Sequence, residues 1–255
     1  MIRQFTVLLR EPNATGPGYG AVPASLASIP AHFRVVADGP ADATYASLEN
    51  PPADVRIVVF DAARLWAPST LTIPVAPAWT YLPRMEADAG FAEACTRSFA
   101  VINCMVTVAA AEERRLRGAF LEQLAILRKL TGADPSVRAF RRNARGYVAD
   151  VGVGPTSASM IGRVSPLAQD ALQLHAVGVD HRLDVSMDAA TSARPAAIRL
   201  SGADGLRQAM PIHQSSHRLT WLKIHAFLGG NVPASDLPTV NAVDAAAVAR
   251  AFDAA

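Results

Sequence analysis

The stretch from Gln4 to Asp38 decides how this chain reads. It opens on Phe5-Thr-Val-Leu-Leu-Arg10 and continues into a glycine-rich turn, Gly16-Pro-Gly-Tyr-Gly20. Ala21 to Ile29 follows, and Phe33-Arg-Val-Val-Ala37 ends on Asp38. The first and last runs are short, apolar and rich in β-branched residues, which predicts two buried strands. Ala21 to Ile29 is compatible with a short helix, with Pro23 inside it. Strand, glycine turn, helix, strand and terminal acid is the order of a dinucleotide-binding βαβ unit. There the glycines let the backbone approach a pyrophosphate, the helix N-terminus offers its free N–H groups, and the acid bonds a ribose hydroxyl. On this reading Gly16, Gly18 and Gly20 carry the pyrophosphate and Asp38 the ribose. The glycine spacing is Gly-x-Gly-x-Gly, where the fingerprint has Gly-x-Gly-x-x-Gly. An acid at Asp38 favours NAD over NADP, because it repels a 2′-phosphate.

The chain beyond Asp38 extends the pattern. Gly39 to Tyr45 reads as a polar stretch, and Val55-Arg-Ile-Val-Val-Phe60 as a third strand ending on Asp61. No helix is read between Ala62 and Pro77, where Pro68, Pro74 and Pro77 interrupt the pattern. Ala78 to Leu82 predicts a further strand stopped by Pro83, Met85 to Ser98 a helix, and Phe99 to Val106 another apolar strand. This alternation favours an α/β layer with a mostly parallel sheet. Glu112 to Leu130 is the clearest helix. Leu116, Phe120, Leu124, Leu127 and Leu130 share one face, with Gly132 as C-cap and Pro135 soon after. Short runs with period-two alternation then predict an antiparallel sheet: Val137–Phe140, Gly146–Ala149, Leu172–Val177, His181–Met187 and Ala197–Leu200. Gly202-Ala-Asp-Gly205 is a turn signal. Two helices close the chain, Leu219 to Leu228 and Val243 to Ala254.

Composition narrows the function classes. The chain has 255 residues, 51% hydrophobic and 18% charged, with a formal net charge of +2. That supports an ample core and gives no electrostatic footprint for nucleic acid. No apolar run approaches the ~18 residues of a membrane span. Met-Ile-Arg-Gln-Phe leads directly into a strand, which reads as a cytoplasmic protein. Cys95 and Cys104 read as free thiols, since two cysteines alone make neither a disulfide framework nor a metal site.

Other constellations are less telling. His213, His217 and His225 have metal-compatible spacing, but Gln214-Ser-Ser216 intervenes and no Glu completes a zinc motif, so no metal is expected. Asp180, His181 and Asp184 read as polar residues on a solvated sheet face. Ser157 and Ser159 lack a nucleophile elbow, which argues against a serine hydrolase. Arg141, Arg142 and Arg145 form the densest basic patch, suited to a phosphate or carboxylate or to a surface loop.

The order of elements resembles the Gfo/Idh/MocA family of NAD(P)-dependent oxidoreductases. Gly118 to Gly132 is similar to the helix that opens that family's second domain. Ile198 to Gly205 is similar to a late strand with its Gly-x-x-Gly turn, and Pro238 to Asp244 to the start of the closing helix. Tyr81-Leu82-Pro83 stands in the place of the Glu-Lys-Pro signature. The resemblance implies a Rossmann-like N-terminal domain over 1–108 and an α+β domain with an open, mainly antiparallel sheet over 109–255. It further implies NAD or NADP as cofactor, a small hydroxyl, carbonyl or imine substrate, and a homodimer through the exposed face of the second sheet. The signature lysine, which orients the cofactor and takes part in proton transfer, is replaced by Leu82. The family's second-domain histidine is replaced by Glu122, to which proton transfer falls. These departures leave two alternatives open. One is a degenerate relative without cofactor acting as an accessory or binding subunit; the other is a non-redox enzyme reusing the interdomain cleft.

Overall fold

The computed structural model describes residues 3–9, 25–26, 28–36, 40–45, 55–61, 74–109, 112–188 and 194–254. Five strands form the first sheet: β1 (Phe5–Leu9), β2 (Phe33–Val36), β3 (Ala43–Tyr45), β4 (Ile57–Asp61) and β5 (Val75–Ala78). They lie in the order β2-β1-β3-β4-β5, and every pairing is parallel. Phe5, Val7, Ile57, Val58 and Val59 are buried, as continuous apolar runs in a covered parallel sheet require.

The chain then forms two short helices, α1 (Leu82–Glu86) and α2 (Ala89–Ala94), before β6 (Val101–Val108). The long helix α3 (Glu113–Thr131) ends on Gly132, whose φ of 68° is the left-handed conformation that a C-cap glycine supplies. Leu116, Phe120, Leu124, Leu127 and Leu130 are all buried. Each contributes roughly 2 kcal/mol of apolar burial. Next come β7 (Pro135–Asn143), β8 (Gly146–Val153), β9 (Thr156–Val164), β10 (Ala171–Val177), β11 (His181–Asp188), β12 (Ala197–Gly202) and β13 (Gly205–Gln208). With β6 they make an eight-stranded sheet in the order β13-β12-β11-β10-β6-β9-β8-β7. Only the β6–β9 pairing is parallel. Alternation decides which face is covered: Leu172, Leu174 and Ala176 of β10 are buried, while Gln173, His175 and Val177 face out. The architecture is therefore α/β followed by α+β, a parallel Rossmann-like sheet and then an open, mainly antiparallel one.

Two helices close the chain, α4 (Ser216–Leu228) and α5 (Ala242–Asp253). α5 packs beside α3 through an aromatic cluster in which Phe252 lies 6.0 Å from Phe120 and 5.0 Å from Phe140. α4 turns back to the first sheet. Trp221, Ile224 and Leu228 share a core with Phe5, Phe33 and Ile57. His225 Nε2 sits 2.8 Å from the Arg3 carbonyl oxygen, and Arg56 donates to the Leu228 carbonyl oxygen at 3.0 Å. Both contacts lie where strands begin, so α4 runs against the strand direction and starts at their C-terminal side.

Several elements differ from the sequence reading. Phe99 to Val106 was expected in the parallel layer, but β6 is the hub of the second sheet, between β10 and β9. An apolar run specifies burial and not which sheet it joins. Trp79 to Leu82 is not strand: the strand is Val75–Ala78, with Pro77 tolerated because β5 is an edge. Pro83 does not stop a strand but sits in the first turn of α1, where its missing N–H costs nothing. Ala43–Tyr45, read as polar coil, is a strand, and so is Thr156–Val164.

Candidate active site

The first sheet changes winding direction at β1, which has β2 on one side and β3 on the other. In open parallel sheets the crevice beyond the strand C-termini at such a switch point is where ligands bind. Gly16, Gly18 and Gly20 follow β1 in the chain and Asp38 follows β2, but all four lie outside the described residues.

At the sheet's other edge β5 leads directly into the α1 turn. Tyr81 caps α1 without a side-chain hydrogen bond, so the first N–H groups of the helix need another acceptor. Glu122, from the middle of α3, provides it. Its Oε1 accepts from the N–H of Tyr81 at 2.6 Å and of Leu82 at 2.9 Å, and its Oε2 from the N–H of Thr80 at 3.1 Å. Glu122 is 4% exposed. Burial pushes its carboxyl up to about 7, against the pull of the three amides toward the ionised form.

Around Tyr81 the second sheet contributes a polar edge. Thr107 of β6, Ala171 of β10 and Asp188 of β11 are in register, so Ala109, Asp170 and Asp188 lie at the same end of adjacent strands. Asp170 accepts from the Ala109 N–H at 2.7 Å and pairs with Arg115 of α3. The Tyr81 phenol is raised well above its ordinary range by burial, then by Asp170 and Glu122, with Arg115 opposing. Arg84 of α1 is 1% exposed. Its guanidinium donates to the Arg194 carbonyl oxygen at 2.7 Å and the Asp188 carbonyl oxygen at 3.4 Å. Desolvation lowers its pKa.

The structure thus joins Glu122 to the Tyr81-Leu82-Pro83 turn, a pairing the sequence marked only as two separate departures. Tyr81, Arg84, Arg115, Asp170 and Asp188 as a group were missed. Neither Arg115 nor the two aspartates belong to a recognisable sequence motif. Of the basic patch, Arg142 donates to Glu113 at 2.8 Å and lies over the Phe252 ring. Among the described residues no group of three His, Cys, Asp or Glu side chains converges as a metal site, and no helix is long and apolar enough to cross a membrane.

No protein-family model matches the chain, and no curated protein does. Solved structures do. A dehydrogenase (MviM) from Clostridium difficile superposes with a TM-score of 0.67 at 9% identity, over 98% of this chain and 97% of that one. The transcriptional regulator Gal80p from Kluyveromyces lactis gives 0.65 at 10% identity, over 99% and 91%. KijD10, a 3-ketoreductase from Actinomadura kijaniata solved with TDP-benzene and NADP, gives 0.59 at 11% identity, over 100% and 96%. The fold is that of the Gfo/Idh/MocA-type oxidoreductases. At such low identities the likeness is one of outline. Leu82, in the turn after β5, is 8% exposed and packed in one core with Trp79, Tyr81 and Met85.

Proposed function

We propose that this chain is a divergent NAD(P)-dependent oxidoreductase acting on a small hydroxyl, carbonyl or imine compound, as a homodimer through the open face of the second sheet. The observation that carries this reading is the switch point of an all-parallel sheet, with the sequence Gly16-Pro-Gly-Tyr-Gly20 following β1 in the chain and a polar, partly buried cluster beyond the end of β5. The sheet fits a dinucleotide in topology, and the departure is at Leu82, where no amine is offered. In this reading Gly16, Gly18 and Gly20 carry the pyrophosphate and Asp38 the ribose. Bound nicotinamide would supply or accept the hydride. Glu122 fixes the Thr80–Leu82 turn and thereby sets Tyr81. The Tyr81 phenol, buried in that turn, stays protonated. Glu122 also titrates near neutrality, as a proton acceptor must, but with its oxygens engaged by amides we favour positioning over direct transfer.

Replacing Gly18 by Val tests the cofactor assignment. The variant is expected to lose NADH binding and keep the parent's urea midpoint. Parent-like NADH affinity in Gly18→Val would show that the dinucleotide, if bound, lies elsewhere.

A second reading has its own observation. Burial of Leu82 in an apolar core suits a relative that has given up the cofactor and works as an accessory or regulatory binding protein, and Gal80p, a transcriptional regulator, has the same fold. Nucleotide binding by the parent protein separates the two.

A further inference from the structure

Helix α4 ties the second half of the chain to the first sheet, and histidines sit at both of its ends. Residues 209–215 before it have no regular structure, and Gly230 just after it takes a φ of 77°. The helix is thus joined to its neighbours by a coil and a glycine turn. In its first turn His217 is 6% exposed, and its Nδ1 has no hydrogen-bond partner. In its last turn the His225 ring lies 4.7 Å from the His32 ring, edge to face, with Phe5 at 5.2 Å and Phe33 at 5.7 Å. The Arg3 carbonyl oxygen, 2.8 Å from His225 Nε2, can only accept, so this imidazole carries its proton on Nε2. The Nδ1 of His32 is also buried without a partner.

These rings suit their places only while neutral. A proton added to His217 or His32 puts an N–H on a buried Nδ1 that has no acceptor. Protonating both His32 and His225 sets two cations side by side. The surroundings add more positive charge. β1 is preceded by Arg3, α4 carries Arg218, and Arg56 donates to the Leu228 carbonyl oxygen. Asp42, just before β3, accepts from the Thr6 N–H on the far side of β1, about 10 Å or two strand spacings from β2. At the other end of α4, Ser215 meets Ser25 through their hydroxyls, and Glu86 of α1 is shared by Lys129 at 3.2 Å and Lys223 at 3.8 Å. Among the described residues no carboxylate bonds any of the three histidines. Burial pushes His217 down to about 4, and burial, then His225 and Arg218, lower His32.

We propose that α4 is an acid-released strap: in mild acid, protonation of His217 and of the His32–His225 pair loosens it from the first sheet, while α3 and the second sheet stay folded. Where α4 is open, these imidazoles titrate near the ordinary 6.5, so the open form takes up protons that the docked form refuses. Docking is therefore fully present above about pH 6.5 and is lost as pH falls from there toward about 4. For His217 alone, going from about pH 7.5 to about pH 5.5 favours opening about tenfold, and the ring pair adds to that. Glu122 of α3 works in the opposite sense: its folded-state carboxyl takes up a proton over the same range, so its turn grows more stable as α4 loosens.

The test is hydrogen–deuterium exchange of the full chain at about pH 7.5 and about pH 5.5 in matched salt, read by peptide mass as protection relative to the free-peptide rate at each pH. Protection across α4 is expected to fall about tenfold or more at the lower pH, and protection across α3 to hold or rise. His217→Leu removes one titrating group, and His32→Phe removes another while keeping a ring against His225. Each should shrink the fall, and the two together should nearly abolish it. His213→Gln, at an exposed histidine before the helix, should leave the parent's response unchanged. The parent alone decides the proposal even where a variant fails to fold. A change of less than about threefold across α4, or an equal loss across α3, overturns it. So does a full tenfold fall that persists in the folded double variant.

Discussion

Replacing Glu122 by Gln should change how stability depends on pH, and the size of the change follows from the site. In the folded protein the Glu122 carboxyl is raised from an ordinary 4.5 to about 7. The folded state therefore binds more protons than the unfolded chain between those values, so stability falls as pH rises through that window. From about pH 5 to about pH 8 the loss integrates to roughly 2–3 kcal/mol. Glutamine cannot ionise and escapes it. A neutral carboxyl and an amide each offer one carbonyl oxygen to the Tyr81 and Leu82 N–H groups and face Thr80 with a donor, so the two proteins should match within about 1 kcal/mol near pH 5. Near pH 8 the variant should be the more stable by about 2 kcal/mol. Glu122→Ala strands all three amides and should cost about 4 kcal/mol near pH 5. The assay is urea denaturation at both pH values with matched salt. A variant that loses ground to the parent as pH rises would mean that the amides outweigh burial and hold the carboxylate ionised. That result would overturn the electrostatic account of this turn.

The remaining predictions concern the second sheet and its helices. A Cβ on Gly162 would fall 2.1 Å from the ring of Tyr147, which is itself fixed by a 2.6 Å hydrogen bond to Gln123. Gly162→Ala should therefore destabilise by about 2 kcal/mol in urea titration, and a neutral result would mean that the ring moves freely. Arg128 grips the buried Asp244 carboxylate with two nitrogens, at 2.7 and 3.2 Å, and so ties α5 to α3. Arg128→Ala should cost about 3 kcal/mol, because Asp244 is left buried without its partner, and Asp244→Asn should cost less. Burial pushes the Cys104 thiol up to about 12, while Cys95 is only partly covered. Iodoacetamide at mildly alkaline pH should alkylate Cys95 well before Cys104, as peptide mass mapping would show.

The parts of the fold legible in the sequence are those whose side chains report one local environment. Leu116 to Leu130 fall on one helical face, and Gly132 stops the helix by a backbone conformation other residues avoid. Leu172, Leu174 and Ala176 alternate cleanly, which announces a strand with one covered face. Thr156 to Val164 was missed because its buried positions include Thr156 and Ala158, small or polar residues that carry little apolar signal. Ala43–Tyr45 is too short for a period to show. β6 was placed in the wrong layer because the partners that decide it, Ala158 and Leu174 among them, lie more than fifty residues away. The site fails to show for the same reason. Glu122 meets backbone amides, which have no sequence identity, and Arg84, Arg115, Asp170 and Asp188 come together only when β6, β10 and β11 are adjacent.

The most direct test of the central claim is a titration of the purified protein with NADH and NADPH, reading nicotinamide fluorescence and thermal midpoint together. Saturable binding of one of them is expected. At 100 times the dissociation constant it should stabilise the protein by about 2.7 kcal/mol, enough to raise the midpoint visibly. Absence of any fluorescence change or midpoint shift with either nucleotide would contradict the oxidoreductase account and leave the cofactor-free binding protein in its place.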